Sequence, residues 1–216
     1  MIKNNKVKLI ICSLLILLPI LFGVLNWNEL PDTIPTHWGI DGQPDGFSSK
    51  PVAVFIIPCF LFLLYWACMF LESRIGSNAE QNKKAYELVF WIVPTISLIT
   101  NGVVYASVFG IDISPVVVAP LILGFALMII GNYMPKVKQN RTLGIKLKWT
   151  LNNEENWNAT HRFAGKVWFF GGFLVIFCAL LPESVAPFVL LPFIFVLVFL
   201  PMLYSYNYHK KQKGNN

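Results

Sequence analysis

The chain alternates between long runs without charge and short polar segments. A bilayer core about 30 Å thick needs roughly 20 apolar residues per helical crossing. Six runs meet that length: Leu9 to Leu25, Pro51 to Leu71, Leu88 to Ile111, Ile113 to Met134, Phe163 to Leu181 and Ser184 to Tyr206. Lys166 falls near one end of the fifth, where a lysine can carry its ammonium to the interface. The pattern predicts an all-α integral membrane protein of six transmembrane helices. Pro19, Pro58, Pro94, Pro120, Pro192 and Pro201 lie within these runs and favour kinks, because each removes an intrahelical hydrogen bond. The fifth run has Gly171 and Gly172 instead, which permit close helix approach.

Two polar segments interrupt the pattern. The first, Asn26 to Lys50, carries Glu29, Asp32, Asp41 and Asp45 against one lysine. Pro31, Pro35 and Pro44 discourage helix, and Asp41-Gly42 and Asp45-Gly46 accept a positive φ at the glycine. A compact turn or short hairpin is expected. The second segment, residues 135–166, is basic and interleaved with apolar side chains in its first half, a composition suited to an anionic membrane surface. Its second half reads as a helix start, with Asn152 as cap, Glu155 three residues on, and Glu154 and Glu155 at the positive end of the helix dipole. Trp157 and His161 then share one face at a spacing of four. Trp149 and Trp157 suit the interfacial depth where indoles concentrate.

Composition agrees with the span pattern: 56% of the 216 residues are hydrophobic and 13% charged, with a mean hydropathy of +0.59. The run Lys3, Lys6, Lys8 and an apolar core resembles a signal peptide, but "GVLNWNELPD" lacks the small-x-small cleavage pattern, so a retained anchor is expected. Placing both termini in the cytoplasm puts sixteen of the seventeen lysines and arginines inside and only Lys50 outside, as the positive-inside rule requires. The first polar segment is then a small turn-rich outer loop, and the second a basic amphipathic inner loop. The net charge of +6 reflects this topology and attraction to anionic lipid, with no direct nucleic-acid binding implied. Cys12, Cys59, Cys68 and Cys178 all fall inside spans and behave as small apolar residues. Two regions are expected: 1–71, the first two spans with the outer loop at 26–50, and 72–216, four spans with the inner loop at 135–166.

Chemistry-bearing residues are sparse. The spans hold no Asp, Glu, Arg or His at mid-depth, which removes the usual residues of proton-coupled transport. Thr95, Ser97, Thr100 and Asn101 form the most polar interior stretch and are expected to hydrogen-bond between helices; a transporter or flippase working through Asn101 is the alternative. His37, Asp41 and Asp45 stand four apart, a metal-ligand spacing on a helix, but Gly39, Gly42 and Pro44 argue against that helix. No metal or cofactor is expected. His161 and Glu154 lie two turns apart and no His-Glu-x-x-His motif exists, so no enzyme is expected either.

"LPDTIPTHWGIDGQPDGFSSK" resembles the extracytoplasmic module, of unassigned function, that opens many members of the SdpI family of bacterial membrane proteins. "GNYMPKVKQNRTLGIKLKWTLNNEENWNATHRFAGK" resembles the family's second signature. There the matching residues are Asn132, Tyr133, Pro135, Gly144, Trp149, Thr150, Leu151, Trp157, Thr160, His161, Arg162 and Gly165. One departure stands out: Lys146 and Lys148 occupy positions where the family commonly has arginine and proline. The resemblance implies a multi-pass protein of the bacterial cell membrane, giving immunity to a secreted membrane-active peptide toxin and, in some members, holding a cytosolic repressor at the membrane. Under it, Pro35, His37, Trp38, Gly42 and Asp45 would sense the toxin, and Asn132, Tyr133, Pro135, Gly144, Trp149, Thr150, Trp157, His161 and Arg162 would bind the partner. General envelope homeostasis is a further alternative.

Overall fold

The computed structural model describes residues 5–75, 83–111 and 113–214. Lys3 and the side chains of Lys83 and Lys84, which enter the charge count, lie outside it. Helix α1 (Lys6–Leu25) leads into a two-stranded antiparallel hairpin, β1 (Thr33–Trp38) and β2 (Pro44–Ser49). A wide π-helical turn (Val52–Ile56) then enters α2 (Ile57–Ile75), followed by α3 (Lys83–Val108) and α4 (Pro115–Tyr133). After a 3-10 turn (Met134–Lys136) and an extended loop come the one-turn helix α5 (Lys148–Leu151), α6 (Glu154–Phe177), a second 3-10 turn (Cys178–Leu180) and α7 (Ala186–Gly214).

Six helical stretches are long and apolar enough to cross a membrane: Lys6–Leu25, Val52–Arg74, Phe90–Val108, Pro115–Lys136, Glu154–Leu180 and Ala186–Gly214. All six predicted runs are therefore found, as the lengths required. Two ends differ. The helix of the fifth run starts at Glu154, nine residues before Phe163, so the second half of the basic segment and the span are one continuous helix. The sixth continues past Tyr206 to Gly214. The π turn stands just before Pro58, which has no N–H to donate, and in it Ile57 N–H reaches back five residues to the Val52 carbonyl.

The described chain divides into two compact units. The first, residues 1–74 with 86–115, contains α1, the hairpin, α2 and most of α3. Two buried clusters hold it together. Leu9, Cys12, Ile16, Tyr65, Met69 and Phe90 form one, near the start of α1, where Lys8 also pairs with Glu87. Leu30, Ile34, Ala53, Val54 and Tyr105 form the other, beneath the hairpin. Between them α1 and α3 are joined by polar bonds: Ser97 Oγ donates to the Ile16 carbonyl at 3.0 Å and Tyr105 OH to the Pro19 carbonyl at 2.9 Å. The interhelical role expected of the "TISLITNG" stretch thus holds for Ser97, whereas Thr100 bonds Ile96 of its own helix at 2.8 Å.

The second unit contains α4 to α7. Helices α4 and α6 cross at glycines. A Cβ on Gly124 would lie 2.6 Å from the Gly172 carbonyl oxygen, and one on Gly131 would lie 2.5 Å from Phe169 N. Backbones this close exclude any side chain and favour dispersion contact, which holds helices together where no hydrophobic effect operates between them. On its other face α6 packs against α7: Gly171 faces Leu197, Trp168 Nε1 donates to the Leu197 carbonyl at 2.9 Å, and Phe163 stacks on Tyr204 with ring centroids 4.2 Å apart. Both glycines expected to permit close approach in this helix do so, one toward each neighbour.

Candidate functional site

Two polar structures carry the candidate residues, one in each unit. In the first unit the hairpin is registered by Thr33 opposite Ser49, Ile34 opposite Ser48, Pro35 opposite Phe47, His37 opposite Gly46 and Trp38 opposite Pro44. Ile34 points down and is fully buried, anchoring the strands on Leu30, Val54 and Tyr105. Lys50 closes the base: its N–H donates to the Asp32 carbonyl at 2.9 Å, its ammonium lies 3.5 Å from the Asp32 carboxylate, and it sits over the Trp27 ring. At the tip, Gly42 takes φ +78°, the left-handed conformation expected of Asp41-Gly42. Gly46 departs from expectation. It lies in β2, where a Cβ would come within 2.7 Å of the His37 Cβ, so its small size, not its φ, is what the strand pair requires.

Of the hairpin candidates, the fold brings His37 and Asp45 together at 2.5 Å, with both side chains more than half exposed. Solvent screens such a pair, so it adds little to stability. Asp41, exposed on the turn, accepts Gln43 N–H at 3.1 Å, and Gly39 leaves room for both aspartates over the turn. Pro35 and Trp38 are half-buried along β1, and Phe47 and Ile40 are exposed. What the hairpin presents is an acidic, partly aromatic surface held up by backbone bonds.

The second unit treats its candidates differently. The α6 cap is Asn153, one residue after the expected Asn152, and its side chain accepts Asn156 N–H at 2.7 Å. The two glutamates do occupy the first turn. Trp157 and His161 share a face as expected and stack with ring centroids 4.0 Å apart. Trp157, however, is fully buried and donates Nε1–H to the Val137 carbonyl at 2.8 Å, so it is a core residue and not an interfacial one.

His161 is also buried. Ile145 N–H donates to its Nε2 at 3.0 Å, which leaves the proton on Nδ1 to donate to the Trp157 carbonyl at 2.8 Å. The ring is a neutral clip between loop and helix, and neither nitrogen is left for proton exchange with Glu154. Gly144 lies against this clip with φ +105°, where a Cβ would meet the His161 and Trp157 rings. Thr150 accepts Leu147 N–H at 2.9 Å and donates to the Ile145 carbonyl at 2.8 Å, fixing the next turn of the same loop. Gly165 packs on Pro135.

A network that single-position reading overlooks ties this loop to α7. Asn156, fully buried, accepts at Oδ1 from Thr160 Oγ at 2.9 Å and from Ser205 Oγ at 2.8 Å, and donates to the Ser205 carbonyl at 3.1 Å. Trp149 Nε1–H donates to Ser205 Oγ at 2.9 Å, and its indole stacks on His209. Asn140 organises the loop itself, accepting Thr142 N–H and Leu143 N–H at 2.8 and 2.6 Å. The sequence separation of 49 residues between Asn156 and Ser205 explains why no local spacing marks them. Among the candidates, Asn132, Pro135 and Arg162 are exposed, Tyr133 and Trp149 half-buried, and Thr150, Trp157 and His161 hidden. Among the described residues no three His, Cys, Asp or Glu side chains converge as a metal site.

The comparisons fall on these two structures. Residues 14–62, spanning most of α1, the hairpin and the start of α2, match a domain of unknown function (DUF1648). Residues 136–205, spanning the loop, α5, α6 and most of α7, match the SdpI/YfhL protein family. The chain is 27% identical over 212 residues to the immunity protein SdpI of Bacillus subtilis, covering 96% of this chain and 99% of that protein. It is also 34% identical over 50 residues to an uncharacterized protein of Archaeoglobus fulgidus, covering 20% of this chain and 27% of that one. No solved structure matches. Six candidate spans and an alignment along nearly the whole of a bacterial relative identify a multi-pass bacterial membrane protein. Its loop and last two helices carry the SdpI/YfhL family region, which bears out the family resemblance read from the two polar signatures.

Proposed function

We propose that this chain is a membrane-embedded immunity protein that protects its cell against a secreted, membrane-active peptide toxin. The observation that carries the reading is the similarity to an immunity protein along nearly the whole of both chains. The hairpin faces outward and both termini lie in the cytoplasm, an orientation that the distribution of lysine and arginine supports. In this orientation the displayed His37 and Asp45 and the half-buried Trp38, with Pro35 and Gly42 shaping the strand and turn, meet the toxin outside. The exposed Asn132, Pro135 and Arg162 with Trp149 form the surface offered to a cytosolic repressor, while Gly144, Thr150, Trp157 and His161 hold that surface in shape.

Expression in a toxin-sensitive strain tests the function: survival in killing supernatant should rise by orders of magnitude, and unchanged killing sinks the reading. A cysteine at Gln43, on the exposed turn, tests the orientation. It should react with a membrane-impermeant maleimide on whole cells, while one at Arg141 should react only after lysis.

A further inference from the structure

Most glycines of the spans are explained by what meets them. Gly124, Gly131, Gly171 and Gly172 are each in contact with a neighbouring helix, and Gly110 adopts φ +72° at the end of α3. Gly102 has neither reason: it sits mid-helix in α3 and nothing lies within 4 Å of where its Cβ would be. A glycine inside a helix is less stable there than alanine would be, so something other than helix propensity accounts for Gly102. It lines a groove of about 530 Å³ between α1 and α3, whose walls are otherwise almost wholly apolar. One turn on, Ala106 continues the same lining, so α3 presents Gly102-x-x-x-Ala106, the small-residue spacing that lets another helix backbone approach.

A second, polar observation sits in the same groove. Asn101 lines it, is 4% exposed and spends its amide N–H on the Ser97 carbonyl at 2.8 Å, while no hydrogen bond to its Oδ1 is found among the described residues. An acceptor at this depth gains from a donor carried by whatever enters. From Asn101 the groove runs along Tyr105 and Phe22 to Leu25, Phe109 and Ile111 at the hairpin end of the helices. Tyr105 also belongs to the cluster on which Ile34 and the hairpin stand. Above that cluster the hairpin segment holds Glu29, Asp32, Asp41 and Asp45 against Lys50 alone.

We infer that this groove is the docking site for a membrane-inserted helical segment of a cationic peptide: its backbone lies against Gly102 and Ala106, a side-chain donor reaches Asn101 Oδ1, and its basic flank meets the hairpin carboxylates. This rests on the immunity reading and names the chemistry of the toxin that the protein intercepts. It places capture within the membrane as well as on its surface.

The test separates groove from function. The protein is reconstituted in phosphatidylcholine vesicles with benzoyl-phenylalanine in place of Phe109, a large lining residue that leaves Gly102 and Ala106 small, or, as control, at Leu14, which is exposed on α1 and outside the groove. The probe is a synthetic leucine-alanine helix of about 20 residues with lysine flanks. Cross-linking should occur from 109 and not from 14. Gly102→Leu, which fills open space, should lower it about fivefold or more, and exchange of the lysine flanks for glutamate by a similar factor. Gly102→Ala and Asn101→Leu guard against misfolding, with smaller losses expected and melting recorded for all. Equal labelling from 14, labelling only of lipid or of a second copy, or indifference to Gly102→Leu overturns the inference. Survival assays run beside it read the other question: a protective wild type with an equally protective Gly102→Leu variant refutes the groove alone, whereas groove-specific cross-linking without protection refutes the immunity reading alone.

Discussion

The hairpin and the α4–α6 loop are both polar interruptions between spans, and they solve the problem of staying ordered in opposite ways. The hairpin spends its backbone on a strand ladder and a single buried anchor, Ile34, which frees its charged side chains to face solvent. The loop has no ladder, and buried side chains do the same work: Trp157, His161, Thr150, Asn156 and Asn140 take up its backbone groups or tie it to α7. A side chain committed to holding a fold is unavailable to a partner. Candidate residues of equal prominence in the sequence are therefore placed differently: His37 and Asp45 are displayed on the hairpin, whereas Thr150, Trp157 and His161 are internal to the loop.

The sharpest way to break the contrast is Trp157→Ala. It removes a fully buried indole, its stack on His161 and its bond to Val137, and should cost about 3–5 kcal/mol, measured as a lowered melting temperature in detergent. Trypsin should then cut at Lys138 and Arg141, while hydrogen exchange through β1 and β2 stays unchanged. Ile34→Ala is the mirror experiment. It should cost about 2–5 kcal/mol and raise hydrogen exchange through β1 and β2, with the loop unaffected. Next comes the Asn156–Ser205 link: Asn156→Ala should cost about 1–3 kcal/mol by leaving buried hydroxyls unpaired, and a double-mutant cycle with Ser205→Ala should show coupling, since the two residues bond each other through both side chain and backbone. The smallest stability change is expected at the tip. His37→Gln with Asp45→Asn should move stability by less than about 0.5 kcal/mol, as exposed substitutions do, yet lower survival in the toxin assay. A full loss of folding there, or full retention of protection, erases the distinction between displaying and supporting residues.

The spans were legible because a bilayer imposes one length on every crossing, and uncharged apolar runs of that length are rare in chains that fold in water. Gly42 was legible for a similar reason: a tight turn restricts φ, and Asp-Gly is the pair that accepts it. Where local chemistry underdetermines the outcome, residue type alone misassigns positions. Asn152 and Asn153 are equivalent as caps by type, and only the geometry of the preceding one-turn helix selects the second. Gly46 carries the same dipeptide signal as Gly42, but strand pairing with His37 claimed it. Trp157 resembled an interfacial anchor because the partner that buries it, Val137, lies twenty residues away. The family resemblance supplied what spacing lacked, since it singled out Gly144 and His161 together before their contact was visible.

The glycines between α4 and α6 have a consequence beyond closeness. Gly124 and Gly131 are seven apart on one helix, Gly165 and Gly172 seven apart on the other, and because the helices run in opposite directions Gly124 meets Gly172 while Gly131 meets Gly165. Two such notches, matched end to end, behave as a vernier: slide either helix by one turn and both notches face side chains at once. The pair therefore has one axial setting. Since Met134, Pro135 and the loop continue directly from α4, and Trp157 and His161 stand on α6, that setting fixes the depth at which the whole second polar structure rides against the membrane.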